Sequence, residues 1–439
     1  MTYPNRTTEL AILIMATAFV AVTAVTADAH AGDWPHWRGP DRNDVVKEPS
    51  HYHGGTWLPD KPAWSGKFGL GTTSPIVVDG TLYIMGSDRK NDTLFAVDAA
   101  TGKTTWEVSY PSRLYGRNAT GDQGFYAGPC STPEFDAATG YIYTLGIDGH
   151  LMCWDTRSRG RKVWEINLYD RYDAPRRPRV RRSGQRDYGY TTSPLVHGEM
   201  LVVEVGAKAG NLIGFAKRSG KQLWASEEKD PAGHNGGPVS ITVEGVPCAA
   251  VLSHNGLLVV RLDRGREGKT VAKYPWLTDW ANNIVTPTVK DNFVLLTSGY
   301  NFQAMCKVRI TLAGATKVWQ TDVFSKVCSP VVYNGHIYWA WRDLYCLDWE
   351  TGKEKWRYRG NYSDPGSCIV TGDGRLILWA KNGRLALAET ADRAPTQPRI
   401  LEQHGDLFRQ DAWPHVVLAD GRLFCKDRSG EVKCFVLRR

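Results

Sequence analysis

Catalytic signatures are scarce in this chain of 439 residues. None of its nine cysteines forms a Cys-x-x-Cys pair, which excludes thioredoxin-like redox chemistry, zinc ribbons and covalent haem attachment together. There is no Gly-x-Ser-x-Gly elbow, no His-Glu-x-x-His and no Asp-x-Asp-x-Asp-Gly loop, so the marks of serine hydrolases, zinc peptidases and EF-hands are missing. His-Asn-Gly occurs at 234–236 and 254–256, in turn-like settings where a lone histidine is more often solvated than catalytic. Long amphipathic helical patterns, low-complexity tracts and interdomain linkers are also absent.

What the chain has is a repeat. Between residues 74 and 439 it restates one phrase eight times, most cleanly as SPIVVDGTLYIMGSDRKNDTLFAVDAATGKTTWEV at 74–108. Alternating apolar residues between turn signals give short antiparallel strands, and a recurring four-strand unit gives a β-propeller. The copies are anchored at Pro75, Pro133, Pro194, Pro238, Pro287, Pro330, Cys368 (in the proline position) and Pro414, a mean spacing near 48 residues. The eighth copy stops after its third strand. A spare fourth-strand sequence, PAWSGKF at 62–68, carries Trp64 in the place of Trp106. The fold expected is all-β: an eight-bladed propeller of four-stranded antiparallel blades, its last blade closed by the N-terminal strand so that no sheet edge stays open. Residues 62–439 form one propeller domain in this reading, and residues 32–61 are a lead-in lying over it.

Residues 10–27 are apolar and uncharged, follow Arg6, and precede Ala29-His30-Ala31, which has the small-x-small form of a cleavage site. The run is near membrane-spanning length, but its Ala/Thr content and the adjacent site favour a signal peptide at 1–31, cut after Ala31. The expectation is a periplasmic or secreted monomer with no membrane span after cleavage. Removing 1–31 raises the formal net charge from +8 to +9. In an exported protein this favours acidic protein surfaces, anionic glycans or the envelope surface as partners over nucleic acid.

Cysteines recur at equivalent repeat positions, Cys153, Cys306, Cys346 and Cys434 on third strands and Cys130, Cys328 and Cys368 at strand heads. That regularity is the mark of a small apolar core residue. Cys425 and Cys434 alone read as facing each other across a turn, where a disulfide is conceivable but geometrically demanding.

Three stretches share an eleven-residue frame, AVDAATGKTTW at 96–106, GFAKRSGKQLW at 214–224 and CLDWETGKEKW at 346–356, and CWDTRSRGRKVW at 153–164 adds one residue. Aspartate accepts turn amide protons, glycine supplies positive φ, and the terminal tryptophan offers a flat ring to the neighbouring blade. The docking positions are Trp64, Trp106, Trp164, Trp224, Trp319 and Trp356. This frame resembles the tryptophan-docking motif of the quinoprotein superfamily, the PQQ-like eight-bladed propellers. The lead DWPHWRGPDRNDV at 33–45 and GQRDYGYTTSPL at 184–195 resemble the secreted PQQ-like repeat proteins grouped with BamB.

The resemblance implies a fold that serves both enzymes and scaffolds. A PQQ-dependent dehydrogenase of alcohols or sugars needs bound quinone, Ca²⁺ held by carboxylate and amide oxygens, and an aspartate base. Family dehydrogenases commonly carry two adjacent cysteines beside the quinone, and no two are adjacent here. Asp279, Asn282, Asn283 and Asp291 form the one candidate oxygen cluster, and turn roles explain them equally well. We therefore expect a non-catalytic binding module with no cofactor, PQQ with calcium being the alternative. Strand direction puts the second-to-third-strand turns and the blade-to-blade crossovers on one face, which also holds the long loops at 109–129, 167–191, 225–236, 275–285, 359–366 and 403–412. Two of these mix arginine with tyrosine, and the partner-binding residues expected are Arg113, Tyr115, Arg117 and Tyr126, with Arg176, Arg177, Arg179, Arg181, Arg182, Arg186, Tyr188 and Tyr190.

Overall fold

The Asp-Gly and Asn-Gly pairs of the repeat make hairpin turns with both central residues at positive φ, 47° and 68° at Asp79-Gly80, 45° and 74° at Asn334-Gly335, and 48° and 67° at Asp420-Gly421. That backbone matches the twist of the flanking strands and keeps each hairpin tight. The structure is a computed structural model, and it describes residues 1, 32–112, 127–174, 189–233, 237–278, 282–364 and 366–437. The leader assigned to 1–31 lies, Met1 apart, outside the described residues.

Eight four-stranded antiparallel sheets follow one another around a ring. Their innermost strands are Ile76–Val78, Glu134–Asp136, Leu195–His197, Val239–Val243, Thr288–Lys290, Val331–Tyr333, Gly366–Val370 and Val417–Ala419, which number the blades 1 to 8. The first six begin at the residue after their sequence anchor, the seventh contains Cys368, and the eighth begins three residues past Pro414. Blade 8 takes its outermost strand from Trp64–Lys67, which pairs with Glu431–Val436, Trp64 facing Cys434 and Lys67 facing Glu431. The expected closure is therefore the observed one.

The tryptophans dock by a repeated device. A Cβ placed on Gly102 of blade 1 would meet the Trp64 ring of blade 8 at 2.6 Å. Gly160 meets Trp106 of blade 1 at 2.5 Å, Gly220 meets Trp164 of blade 2 at 2.8 Å, and Gly352 meets Trp319 of blade 5 at 2.7 Å. The glycine of each Thr-Gly-Lys-type turn thus serves two ends: it turns the hairpin and it seats the indole of the preceding blade. The indole nitrogens reach past it to backbone carbonyls, Trp64 to Ala99 at 3.0 Å, Trp164 to Lys217 at 3.0 Å and Trp319 to Trp349 at 3.1 Å. Trp224 differs, its nitrogen turning to the Met200 sulfur of its own blade at 3.1 Å. Trp164, Trp224 and Trp356 are buried, while Trp64, Trp106 and Trp319 are half-buried.

Two readings of the sequence change here. Cys425 faces Lys433, so Cys434, one residue on, projects from the opposite side of the sheet. That register forbids a bridge, and no disulfide forms among the described residues. The lead-in, placed over the propeller by the sequence, instead sends its first half inside. Trp34 pairs with Val77 of blade 1, and Val45 bridges Val370 of blade 7. Between them Arg42 reaches Glu134 of blade 2 while Arg38 reaches Thr288 of blade 5 and the Pro330 carbonyl of blade 6. One loop touching blades 2, 5 and 6 of an eight-membered ring must cross its axis. Among the described residues no helix is long and apolar enough to cross a membrane.

Candidate functional site

The axial loop enters and leaves through the tight-turn face. Asp33 accepts the Asp79 amide there at 3.1 Å, and the Glu48 carbonyl accepts the Gly372 amide at 2.8 Å. Its charges are matched one by one inside the ring. Arg38, 1% exposed, donates to Asp44, 0% exposed, and His415 Nε2 lies 3.1 Å from the other Asp44 oxygen. Glu134, fully buried, takes a two-pronged contact from Arg42, lies 3.2 Å from His36 Nδ1, and accepts the Val196 amide at 2.8 Å. Burial alone would raise the Glu134 carboxyl, but the Arg42 guanidinium and then His36 outweigh it and hold it down at about 2. Burial, followed by the Arg42 charge, lowers His36 from the ordinary histidine value. Satisfied in this way, the axis is a structural staple.

Calcium and quinone would need oxygen ligands that converge. The Asn283 amide instead donates to the carbonyls of Ser253, His254 and Trp276, at 2.7, 3.3 and 3.1 Å, and its oxygen lies 3.2 Å from the Thr278 hydroxyl. Asp291 sits at φ 54° in the turn after Thr288–Lys290, on the tight-turn face, whereas Asn283 lies in the crossover before that strand. Asp279 is outside the described residues. Asn283 and Asp291 therefore do not converge, and no group of three His, Cys, Asp or Glu suited to a metal occurs among the described residues. Held in this way, Asn283 and Asp291 do not fit a shared calcium site.

The arginine–tyrosine loops divide differently. Arg113, Tyr115, Arg117, Tyr126, Arg176, Arg177, Arg179, Arg181, Arg182, Arg186 and Tyr188 lie outside the described residues. Tyr190 is described, and its assignment to the binding surface is corrected: the residue is 0% exposed. Its hydroxyl donates to the Val205 carbonyl at 3.2 Å and its ring packs 4.8 Å from Tyr169. Tyr190 belongs to the core between blades 2 and 3, where it pins the end of the loop. At the other end, the short helix Leu168–Tyr172 is capped by Asn167, and exposed Arg171 lies 5.6 Å over the Tyr172 ring.

On the same crossover face, a polar cleft of about 730 Å³ opens between blades 6 and 7. It is lined by Arg342, Asp343, Arg357, Arg359, Asn361, Ser363, Asp364 and Lys381. Arg342 occupies the turn between His336–Trp341 and Asp343–Asp348, Arg357 the outer strand Glu354–Tyr358, and Lys381 the turn after Arg375–Ala380. The remaining lining comes from the crossover between the two blades. Arg357 binds Asp343 at 2.6 Å, and Asp364 accepts from Lys326 at 2.5 Å and from Trp341 at 3.0 Å. Burial acts to raise Asp364, yet those two donors hold it below the ordinary carboxylate range. Arg342, Arg359 and Lys381 form no ion pair among the described residues. Sequence reasoning placed the 359–366 crossover on the binding face but missed these cations. Strand parity was the signal that puts Trp341-Arg342-Asp343 beside it.

The model of the family described as outer membrane protein assembly factor BamB matches residues 90–358, more than half of the chain. No curated protein matches it. Among solved structures, BamB from Moraxella catarrhalis is similar with a TM-score of 0.59 at 12% identity, covering 86% of this chain and 99% of its own. Quinohemoprotein alcohol dehydrogenase ADHIIG from Pseudomonas putida HK5 gives 0.57 at 14%, over 93% of this chain and 80% of its own. The computationally designed Ika8 protein gives 0.57 at 9%, over 84% and 98%. At such identities the likeness is one of fold, shared by an assembly factor, an oxidoreductase and a designed protein.

Proposed function

The chain belongs to the BamB family of PQQ-like repeat propellers, and from that premise we propose that it is an exported, non-catalytic scaffold. It acts in the periplasm or outside the cell and binds an acidic protein partner through its crossover-loop face. The observation that carries this reading is the contrast between the channel of the ring and its crossover face. The axial loop enters from the tight-turn face and matches its charges inside the channel, while the crossover face presents exposed cations that form no ion pair among the described residues. The arginine–tyrosine content of the sequence at 113–126 and 171–188 would add forked donors and stacking faces to it. In this reading the chain takes part in envelope or extracellular assembly by holding partners, with no bond made or broken.

Residues 32–439, purified, should bind immobilised polyglutamate weakly and in a salt-sensitive way, since exposed charges are screened within about 8 Å at physiological ionic strength. Replacing Arg176, Arg177, Arg179, Arg181 and Arg182 by Ser should weaken that binding and leave the melting temperature unchanged. Full binding by the variant, or none by the parent, contradicts the reading. So would stoichiometric uptake of PQQ with Ca²⁺ accompanied by dye-linked oxidation of an alcohol or aldose.

A further inference from the structure

We propose that the cleft between blades 6 and 7 binds an acidic peptide segment of a protein partner, through Arg342, Arg359 and Lys381. The proposal rests on the partner-binding reading above and gives it a site that no family likeness assigns.

Four observations converge on the cleft. The first is charge: Asp343 and Asp364 are engaged by Arg357 and Lys326, and of the other three cations only Arg342 feels one of these carboxylates, Asp364, without an ion pair, so the lining keeps an excess of positive charge for an anion from outside. Arg342 and Arg359 are exposed and Lys381 half-buried, so all three are within reach of a ligand.

Preorganisation is the second. The Arg342 guanidinium lies 4.7 Å from the Trp341 ring and that of Arg357 lies 4.8 Å from the Tyr345 ring. Tyr345 in turn stacks on buried Trp339 at 4.6 Å with 5° between the planes, and Trp341 packs 4.9 Å from Phe324. Cations backed by packed rings lose less freedom when they engage a carboxylate.

The third is backbone conformation. Arg342, Asn361, Ser363 and Lys381 take positive φ, 58°, 54°, 64° and 51°, so half of the cleft lining sits in the left-handed region. Such residues persist only where surrounding structure over-determines them, and they gather at ligand clamps. Here the Tyr362 amide donates to the Arg342 carbonyl at 2.6 Å and Arg384 donates to the Gly360 carbonyl at 2.7 Å, fixing crossover to turn. Buried Tyr362 anchors the loop from below.

The fourth observation selects the class of ligand. Two carboxylates, each already paired, interrupt the cations of the lining, so the cleft suits anionic groups set apart from one another better than the unbroken charge of polyphosphate or polyuronate. A peptide spaces its carboxylates with neutral residues and brings amides for exposed Asn361 and Ser363 to bond.

The test uses the whole mature chain and a fluorescein-labelled hexapeptide of alternating glutamate and glycine, followed by anisotropy at low salt. The variant Arg342→Gln/Arg359→Gln should raise the dissociation constant at least tenfold with an unchanged melting temperature. The charge-matched control Lys103→Gln/Lys353→Gln, in turns of the opposite face, should stay within twofold of the parent. Equal weakening in the control means undirected attraction and overturns the proposal. So does retention of peptide binding by the cleft variant, or cleft-dependent binding of polygalacturonate with none of the peptide. The five-arginine loop variant, run alongside, separates the two readings. If it loses binding and the cleft variant does not, the cleft fails and the crossover face stands; if only the tight-turn control loses binding, both fail.

Discussion

The channel of the ring and its crossover face use the same residue types to opposite effect. In the channel, at the heads of the innermost strands, Arg38, Arg42, Asp44 and Glu134 are buried and matched within the molecule. At the crossover end, Arg342 and Arg359 stand exposed beside carboxylates that other cations have already taken. Arginine in a propeller therefore carries no functional meaning by type. Its meaning lies in whether the fold has provided its counter-ion.

Breaking the channel pairs should have the largest effect. Arg38→Ala leaves the Asp44 carboxylate buried without its guanidinium, and should cost about 3–5 kcal/mol in a denaturant titration. A loss below about 1 kcal/mol would mean that the axial loop is an ornament on a self-sufficient ring. Next come the docking indoles. Trp164→Ala should cost about 3–5 kcal/mol, and half-buried Trp106→Ala measurably less, because less of its ring leaves water on folding. Equal losses would show that the shared seat on glycine matters more than burial.

Acidity separates the channel from the crossover face further. Glu134 folds with a carboxyl near 2, below its ordinary 4.5. Its stabilisation is complete above the ordinary value and is lost as pH falls through about 2. Asp92, at the crossover end of blade 1, is pushed the other way, from 3.8 to about 7, by burial and then by the Asp148 charge. Between those values the folded chain holds a proton that the unfolded chain has released, so this group makes stability fall as pH rises through the window. Asp92→Asn should flatten the stability profile between pH 4 and 7, while Glu134→Gln should flatten it only below 4.5. Melting curves over pH 3–8 read both, and a profile unchanged by Asp92→Asn contradicts the assignment. Smallest of all, Arg359→Gln should move stability by no more than about 0.5 kcal/mol, as for a surface change that breaks no contact.

Much of this fold was legible because its rules are local. Alternating burial, Asp-Gly turns and the glycine-to-tryptophan spacing lie within single repeats, and Trp64 could be matched to Trp106 by sequence alone. The axial loop was not legible. Arg42 meets Glu134 across 92 residues and Arg38 meets Thr288 across 250, and no local pattern encodes such pairings. Cys425 and Cys434 were misplaced by a single step of register, enough to send them to opposite sides of the sheet. Tyr190 was drawn into the surface reading by the arginines before it, although its ring fills a gap between blades. The cleft escaped because positions 342, 357–364 and 381 meet only once blades 6 and 7 stand side by side.

The central claim is that partners are held at the crossover end and not at the tight-turn end. Amide hydrogen exchange of residues 32–439, with and without the saturating glutamate–glycine peptide, tests it most directly. The account predicts slowed exchange at 359–364 and in the turns around Arg342 and Lys381, with the Thr-Gly-Lys turns at 101–103 and 351–353 unchanged. Protection at those tight turns, with none at 359–364, would contradict it.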